Sequence, residues 1–241
     1  MIMKKIAFIA LFSALLLTCC TKEQRALEVT PKSISVYADE TMQLTTKNVE
    51  GRCKYTSSDD YYATVSATGL VTGKKVGETV IEVSSSGRLV KVPITIMHRY
   101  SLYPDVDDLV GATVSDVFKV MGGSDYESSV SSSGEMTYLF RNPTSYVDAV
   151  MFLMKGSFVE TIGVLVSTAN TSMITKHLRE RYTVAGMQND MYFFLNHGQR
   201  VVIAIQVYSS KYILVMYMKY TASKSNNYVD LPEFNVSEFG Y

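Results

Sequence analysis

Short runs of alternating apolar and polar residues, separated by glycine-containing turns, fill the stretch from residue 27 to residue 97. Five runs have this pattern, and glycines between them can supply the positive-φ turns that reverse a chain. Many short strands with regular turn signals and no helical period predict an all-β sandwich. The runs are Leu27–Val29, Ile34–Val36, Met42–Leu44, Val80–Val83 and Val90–Ile96.

The same stretch resembles the bacterial immunoglobulin-like domain, group 2. The resemblance rests on Val29-Thr30-Pro31, Glu40 to Leu44, Tyr55 to Asp59, Gly69 to Gly73 and Val76 to Ile81, in that order. It departs from the family where Tyr55 takes the place of a common Trp and Asp39 the place of a Gly. The resemblance implies an immunoglobulin-like sandwich used for surface spacing or adhesion, without an active site.

A helical period begins after the polar residues 98–104, which indicates a second domain over residues 100–220. Thr113 with Asp116 forms a capping-box pattern that predicts the start of a helix, and Asn170-Thr171 predicts a second helix start. Three strand-like runs follow each helix signal, at a separation of about 55 residues. We therefore expect an α+β domain of two helix-strand-strand-strand repeats, with a six-stranded antiparallel sheet and both helices on one face.

This second pattern resembles the β-lactamase-inhibitor-like and small outer-membrane lipoprotein folds. The resemblance covers the order of elements and one short motif, Gly111 to Val117 followed by Met121-Gly122. It implies a domain that binds proteins and does not catalyse a reaction.

The first twenty residues have the pattern of a secretion signal. Lys4-Lys5 precede a short apolar run that ends in Leu17-Thr18-Cys19-Cys20, and this run is too short to span a bilayer comfortably. The ending resembles a bacterial lipobox, which implies cleavage before a cysteine that carries the lipid. Cys20 fits best and Cys19 is the alternative, so we expect a signal peptide over residues 1–19 and a tether over residues 20–26.

A lipid anchor would place the chain at a bacterial cell envelope, on the outer membrane in preference to the inner, and either periplasmic or exposed at the surface. After processing at Cys20, Cys53 is the remaining thiol, so an intramolecular disulfide is excluded. We expect Cys53 to be a small buried apolar residue.

The strand Tyr212–Met218 has apolar residues at both odd and even positions. Apolar side chains therefore point to both faces of its sheet, and both faces need a cover. Helices cover one face only. The cover of the other face could be the immunoglobulin-like domain, the C-terminal tail (residues 221–241), a second copy or an external ligand. We expect this face, represented by Tyr208, Tyr212 and Tyr217, to be the binding surface, partly covered by the tail.

The sequence shows no pattern typical of nucleic-acid binding or of a metal site. The formal net charge is zero and no basic stripe suggests nucleic acid. His177 and His197 have no metal ligand at zinc spacing, and we expect them at the surface or partly buried. We expect Asp105, Asp107 and Asp108 to form a solvated linker before the first helix.

No phosphate loop, His-Glu-x-x-His or nucleophile elbow is present. The sequence therefore predicts no catalytic residue, no metal and no cofactor. The expected function is a lipid-anchored binding or adhesion protein whose immunoglobulin-like stalk presents an α+β head to a protein or glycan. The alternatives are a structural component of an envelope complex, and a small hydrolase or hydrolase inhibitor. Self-association is left open.

Overall fold

The computed structural model describes residues 25–122, 125–131, 134–188 and 190–220. The expected signal peptide, the lipid-bearing Cys20 or Cys19, and the tail over residues 221–241 lie outside these ranges. No helix within the described ranges is long and apolar enough to cross a membrane.

The first domain consists of nine short strands in three small sheets. Two sheets have the orders β2-β9-β8-β5 and β3-β7-β6, and β1 pairs with β4. All pairs are antiparallel except β2 with β9, which is parallel. The strands are β1 Glu28–Thr30, β2 Ile34–Tyr37, β3 Thr41–Gln43, β4 Thr45–Lys47, β5 Lys54–Ser57, β6 Ala63–Val65, β7 Leu70–Gly73, β8 Gly77–Ser85 and β9 Arg88–Met97.

Alternation of buried and exposed side chains builds the core of this domain. Along β8, Thr79, Ile81, Val83 and Ser85 are buried while the residues between them are more exposed, as expected for a strand with one face on a core. Ile81, Val83, Val92 and Ile94 belong to one apolar cluster. Cys53, which we expected to be buried, is partly buried and packs against that cluster.

In its described residues, the second domain contains two α-helices, three short 3-10 helices and one eight-stranded antiparallel sheet. The sheet order is β10-β11-β12-β13-β17-β16-β15-β14. The elements are α1 Val114–Met121, β10 Glu127–Val130, β11 Met136–Thr144, β12 Val147–Lys155, β13 Phe158–Ser167, α2 Thr171–Arg181, β14 Thr183–Gln188, β15 Met191–Leu195, β16 Val201–Val207 and β17 Tyr212–Lys219.

Four strands follow each helix, so the expectation of three strands per unit and a six-stranded sheet is wrong. The two additional strands, β10 and β14, form the outer edges of the sheet. The stretch Ser128–Ser133 had the composition of a loop, yet Glu127–Val130 pairs with β11. Edge strands with mostly exposed residues lack the apolar alternation that identifies a strand in sequence.

Both helix starts are where the sequence predicts them. The side chain of Asp116 accepts hydrogen bonds from the Thr113 backbone N–H at 3.3 Å and from the Thr113 hydroxyl at 2.7 Å. The Lys119 ammonium, which donates to the same carboxylate at 2.9 Å, and these bonds lower the pKa of Asp116 to about 2. The second helix begins at Thr171, directly after Asn170.

Apolar side chains on both faces of the large sheet are buried. On the face that carries the helices, Val117 of α1 and Leu178 of α2 pack with Phe152 and Val164 of the sheet. On the opposite face, the second-face cluster comprises ten buried residues, all in strands: Leu139, Ala149, Met151, Leu165, Phe193, Val202, Ala204, Leu214, Met216 and Met218. The middle strands therefore have apolar residues at both odd and even positions, because the side chains on each face of the sheet pack into a separate core.

Candidate binding site at the domain junction

The first domain contacts the last turn of α2 directly. The Tyr61 hydroxyl donates to the carbonyl oxygen of Arg181 at 2.7 Å, and the Val76 N–H donates to that of Glu180 at 2.8 Å. The Lys75 ammonium donates to the carbonyl oxygen of Arg179 at 2.6 Å. The last carbonyls of a helix have no partners within it and carry partial negative charge. The first domain therefore caps the C-terminus of α2.

The segment between the domains is also held in place. The Glu180 carboxylate, which is 8% exposed, accepts hydrogen bonds from the backbone N–H groups of Arg99 and Tyr100, both at 3.0 Å. The Arg99 guanidinium pairs with Glu40 and lies 4.2 Å from the centre of the Tyr37 ring. The connector is thus fixed to both domains.

A cleft of about 460 Å³ opens beside these contacts. Residues of both domains line it: Tyr61 from the first domain, and Thr183, Leu195 and residues 196–199 from the second. Clefts between domains that combine rings with a few polar groups are common ligand sites.

His197 is the central side chain of this cleft. Its Nε2 atom lies 2.8 Å from the Asp59 carboxylate. Its ring stacks on Tyr61 at 4.6 Å and meets Tyr62 edge-on at 5.2 Å. Burial raises the pKa of Tyr61 to about 12, so its phenol is neutral and remains a hydrogen-bond donor at neutral pH.

The loop that carries His197 is anchored from behind by Asp107 and Asn196. The Asp107 carboxylate accepts from the Tyr182 hydroxyl at 2.9 Å and from the Asn196 side-chain amide at 3.1 Å. The Asn196 side-chain oxygen accepts from the Val201 N–H at 2.9 Å. Burial raises the pKa of Asp107. The expectation that Asp107 belongs to a solvated linker is therefore wrong, because it is a partly buried acceptor for two side chains.

The second predicted surface histidine, His177, is fully buried. Its Nδ1 atom lies 3.2 Å from the Tyr100 carbonyl oxygen and 3.4 Å from the Leu102 nitrogen. Its Nε2 atom has no hydrogen-bond partner among the described residues. Burial, followed by the nearby Arg181 charge, lowers the pKa of His177 to about 3. The prediction of a surface or partly buried position is wrong because His177 lies on the inward side of α2.

The three tyrosines of the expected binding face do not form one surface. Tyr208 and Tyr212 are partly buried against the second-face cluster, and the Tyr208 N–H donates to the Tyr212 carbonyl oxygen at 3.0 Å. Tyr217 has no exposed surface and lies in the core on the helix side. The prediction that Tyr217 belongs to the binding face is therefore wrong. Residues 212 and 217 are an odd number of positions apart in one strand, so their side chains point to opposite faces of the sheet.

Sequence reasoning missed the junction cleft. In the sequence, Asp59 lies in a predicted immunoglobulin-like turn and His197 in an ordinary turn. The two residues are 138 positions apart, and no sequence pattern indicates that they are in contact. Across the described ranges, no group of three or more His, Cys, Asp and Glu side chains could hold a metal ion.

Residues 25–91 match the family model of the bacterial Ig-like domain (group 2). Comparison with curated proteins finds no match. Among solved structures, a mutant of intimin from EHEC O157:H7 is similar at 17% identity and a TM-score of 0.26, over 56% of this chain and 93% of that chain. Domains 1–6 of the surface layer protein SbsC are similar at 17% identity and a TM-score of 0.27, over 58% of this chain. This chain spans 22% of that SbsC structure, and neither likeness assigns a function.

Proposed function

We propose that this chain is a lipid-anchored binding protein of a bacterial cell envelope. In this proposal the immunoglobulin-like domain is a stalk, and the α+β domain is a head that contacts a protein or a glycan. The lipobox-like ending of the leader and the bacterial Ig-like domain at residues 25–91 support the proposal.

The observation that carries the proposal is the cap that the first domain places on α2. Three donors from the first domain reach three consecutive carbonyl oxygens, those of Arg179, Glu180 and Arg181. Such contacts hold the head at one orientation on its stalk, which lowers the entropy lost when a ligand binds between them. The cleft around His197 is therefore preformed.

The anchor is tested by metabolic labelling with palmitate followed by membrane fractionation. We expect Cys20→Ser to abolish labelling and to release the protein from the membrane fraction, because the lipidated residue is lost. Cys53→Ser is the matched control and should label normally. Loss of label in Cys19→Ser with Cys20→Ser unaffected would assign the lipid to Cys19. Normal labelling in both variants would contradict the lipid anchor.

The cleft is tested by binding of the purified protein to a glycan array and to extracted envelope proteins. His197→Ala removes the ring that stacks on Tyr61 and should weaken binding about ten-fold or more, which corresponds to roughly 1.4 kcal/mol. His98→Ala, at an exposed position on the connector, should bind as the wild type does. Loss of binding in Tyr208→Ala or Tyr212→Ala with His197→Ala unaffected would move the site to the second face of the sheet.

A structural role in an envelope complex is a second candidate function. The outer strand β14 favours it, because its residues from Thr183 to Met187 are all exposed at the edge of the large sheet. Exposed sheet edges are templates for pairing with another chain.

A further inference from the structure

The outer strand β14 lacks the charged residues and the proline that often protect a sheet edge. Within the described ranges it pairs with β15 alone. Its sequence, Thr-Val-Ala-Gly-Met-Gln, contains no charged residue and no proline. Natural proteins commonly place lysine, proline or an inward-pointing charge on an edge strand to prevent pairing with another chain.

Exposed apolar side chains accompany this unprotected edge. Val184 is 49% exposed, Met187 62%, Tyr192 52% and Val207 70%. Val184 lies opposite Phe194, while Met187 lies opposite Tyr192, which in turn lies opposite Ile205. Phe194 and Ile205 belong to the helix-side core, so Val184, Met187, Tyr192 and Val207 share the helix side of the sheet. We call these four residues the edge patch.

In the other half of the sheet, the residue that corresponds to Tyr192 is Tyr138, and it is covered by aromatic side chains. Tyr138 of β11 makes edge-on contacts with Phe118 of α1 at 5.6 Å and with Tyr126 at 5.5 Å. Tyr192 occupies the matching place on β15, next to the other outer strand, and no described ring contacts it. The first half therefore covers its outer aromatic residue with α1, whereas the edge patch has no such cover among the described elements.

We propose that β14 pairs antiparallel with β14 of a second copy of this chain. Strand β14 contains a bulge between Val184 and Gly186, which brings Val184 and Met187 to the same face although they are three positions apart. In a two-fold arrangement, Val184 of each copy then lies opposite Met187 of the other copy. These two equivalent pairs bring the two edge patches together. An isologous interface of this kind is closed, so it stops at a dimer.

The absence of charge selects a second copy as the occupant. In a two-fold pairing of β14, each charged residue on the strand would come close to its own copy across the axis, and the two like charges would repel each other. Strand β14 avoids this penalty along its whole length. The other outer strand, β10, carries Glu127 and would place two carboxylates near such an axis.

Analytical ultracentrifugation of the full-length protein, purified in a mild detergent, tests the proposal. We expect a concentration-dependent monomer–dimer equilibrium for the wild type. Met187→Lys should weaken dimerisation about ten-fold or more, because it brings two ammonium groups to the interface. Val130→Lys is the matched control, since Val130 is a 61% exposed valine on β10, and it should dimerise as the wild type does.

Both variants alter exposed side chains, and unchanged thermal unfolding will show that each still folds. A wild type that is monomeric at the highest concentrations measured would overturn the proposal. A dimer that Met187→Lys leaves intact would overturn it as well, because another surface would then carry the contact. A different protein that copurifies with a monomeric wild type and is lost in Met187→Lys would assign the edge to that protein instead. None of these outcomes depends on the lipid anchor or on the junction cleft.

Discussion

The hydroxyl oxygens of Tyr103 and Tyr217 lie 2.8 Å apart inside the second domain, where both side chains are buried. The two rings meet edge-on, with their centres 6.4 Å apart. Burial raises the pKa of both phenols, so both are neutral and one donates to the other. This bond connects the segment before α1 to the centre of the sheet.

Loss of one phenol should therefore leave the other as an unsatisfied buried group. We expect Tyr217→Phe to lower the free energy of unfolding by about 1–3 kcal/mol. The double variant Tyr103→Phe/Tyr217→Phe should be more stable than the sum of the two single changes predicts, since no polar atom is then left unpaired. Urea unfolding of the four proteins measures this coupling, and strictly additive losses would show that the bond contributes nothing.

The buried His177 should make the protein sensitive to acid. Its folded pKa is about 3 and its ordinary value is 6.5, so below pH 6.5 the unfolded chain binds a proton that the folded chain does not. The free energy of unfolding then falls by up to about 1.4 kcal/mol for each pH unit between 6.5 and 3. Above pH 6.5 this contribution is constant.

Urea unfolding at several pH values measures the slope in this window. We expect His177→Gln to have a shallower slope than the wild type, because it cannot titrate. His98→Gln changes an exposed histidine and is the control. Equal slopes in the wild type and His177→Gln would show that His177 is protonated to the same extent in both states.

Removal of the Glu180 carboxylate should loosen the connector. Glu180→Ala removes the charged acceptor of the partly buried backbone N–H groups of Arg99 and Tyr100, and hydrogen bonds to charged groups contribute about 1.5–3 kcal/mol. We expect faster cleavage near Arg99 in limited trypsin digestion, while both domains keep their folds. Glu78→Ala changes an exposed carboxylate and should be cleaved at the wild-type rate. Equal protection of both variants would mean that the cap on α2 alone fixes the connector.

Gly77 should be intolerant of a side chain because of Tyr62. Its φ is +142°, and a Cβ atom there would overlap the Tyr62 ring, which contacts both Tyr61 and His197. Gly87 also has a positive φ, of +78°, but a Cβ atom would meet nothing within 4 Å. Both alanine variants should lose about 1 kcal/mol from backbone strain, and Gly77→Ala should lose more.

Thermal unfolding compares the two glycine variants, and the near-ultraviolet circular dichroism of the tyrosines should change in Gly77→Ala alone. Equal melting temperatures for the two variants would show that Tyr62 can move away at no cost.

The sequence predicted features that depend on neighbouring residues. Strand alternation and turn glycines identified the first domain, and the Thr113–Asp116 pair located the start of α1. The edge strands β10 and β14 escaped prediction because exposed edges do not require apolar alternation. Tyr217 was grouped with Tyr212 although strand parity alone places residues 212 and 217 on opposite faces, and only the structure shows which of these faces packs against the helices.

Local pattern by itself determined that this chain contains a β-sandwich followed by helices and antiparallel strands, since hydrophobic period and turn chemistry act over a few residues. Only the tertiary structure decided which side chains meet at the junction. Asp59 and His197 lie 2.8 Å apart, and Tyr61 caps a helix that is 120 positions away. Contacts of this kind depend on how two separately patterned domains pack, and no local period in the sequence encodes that packing.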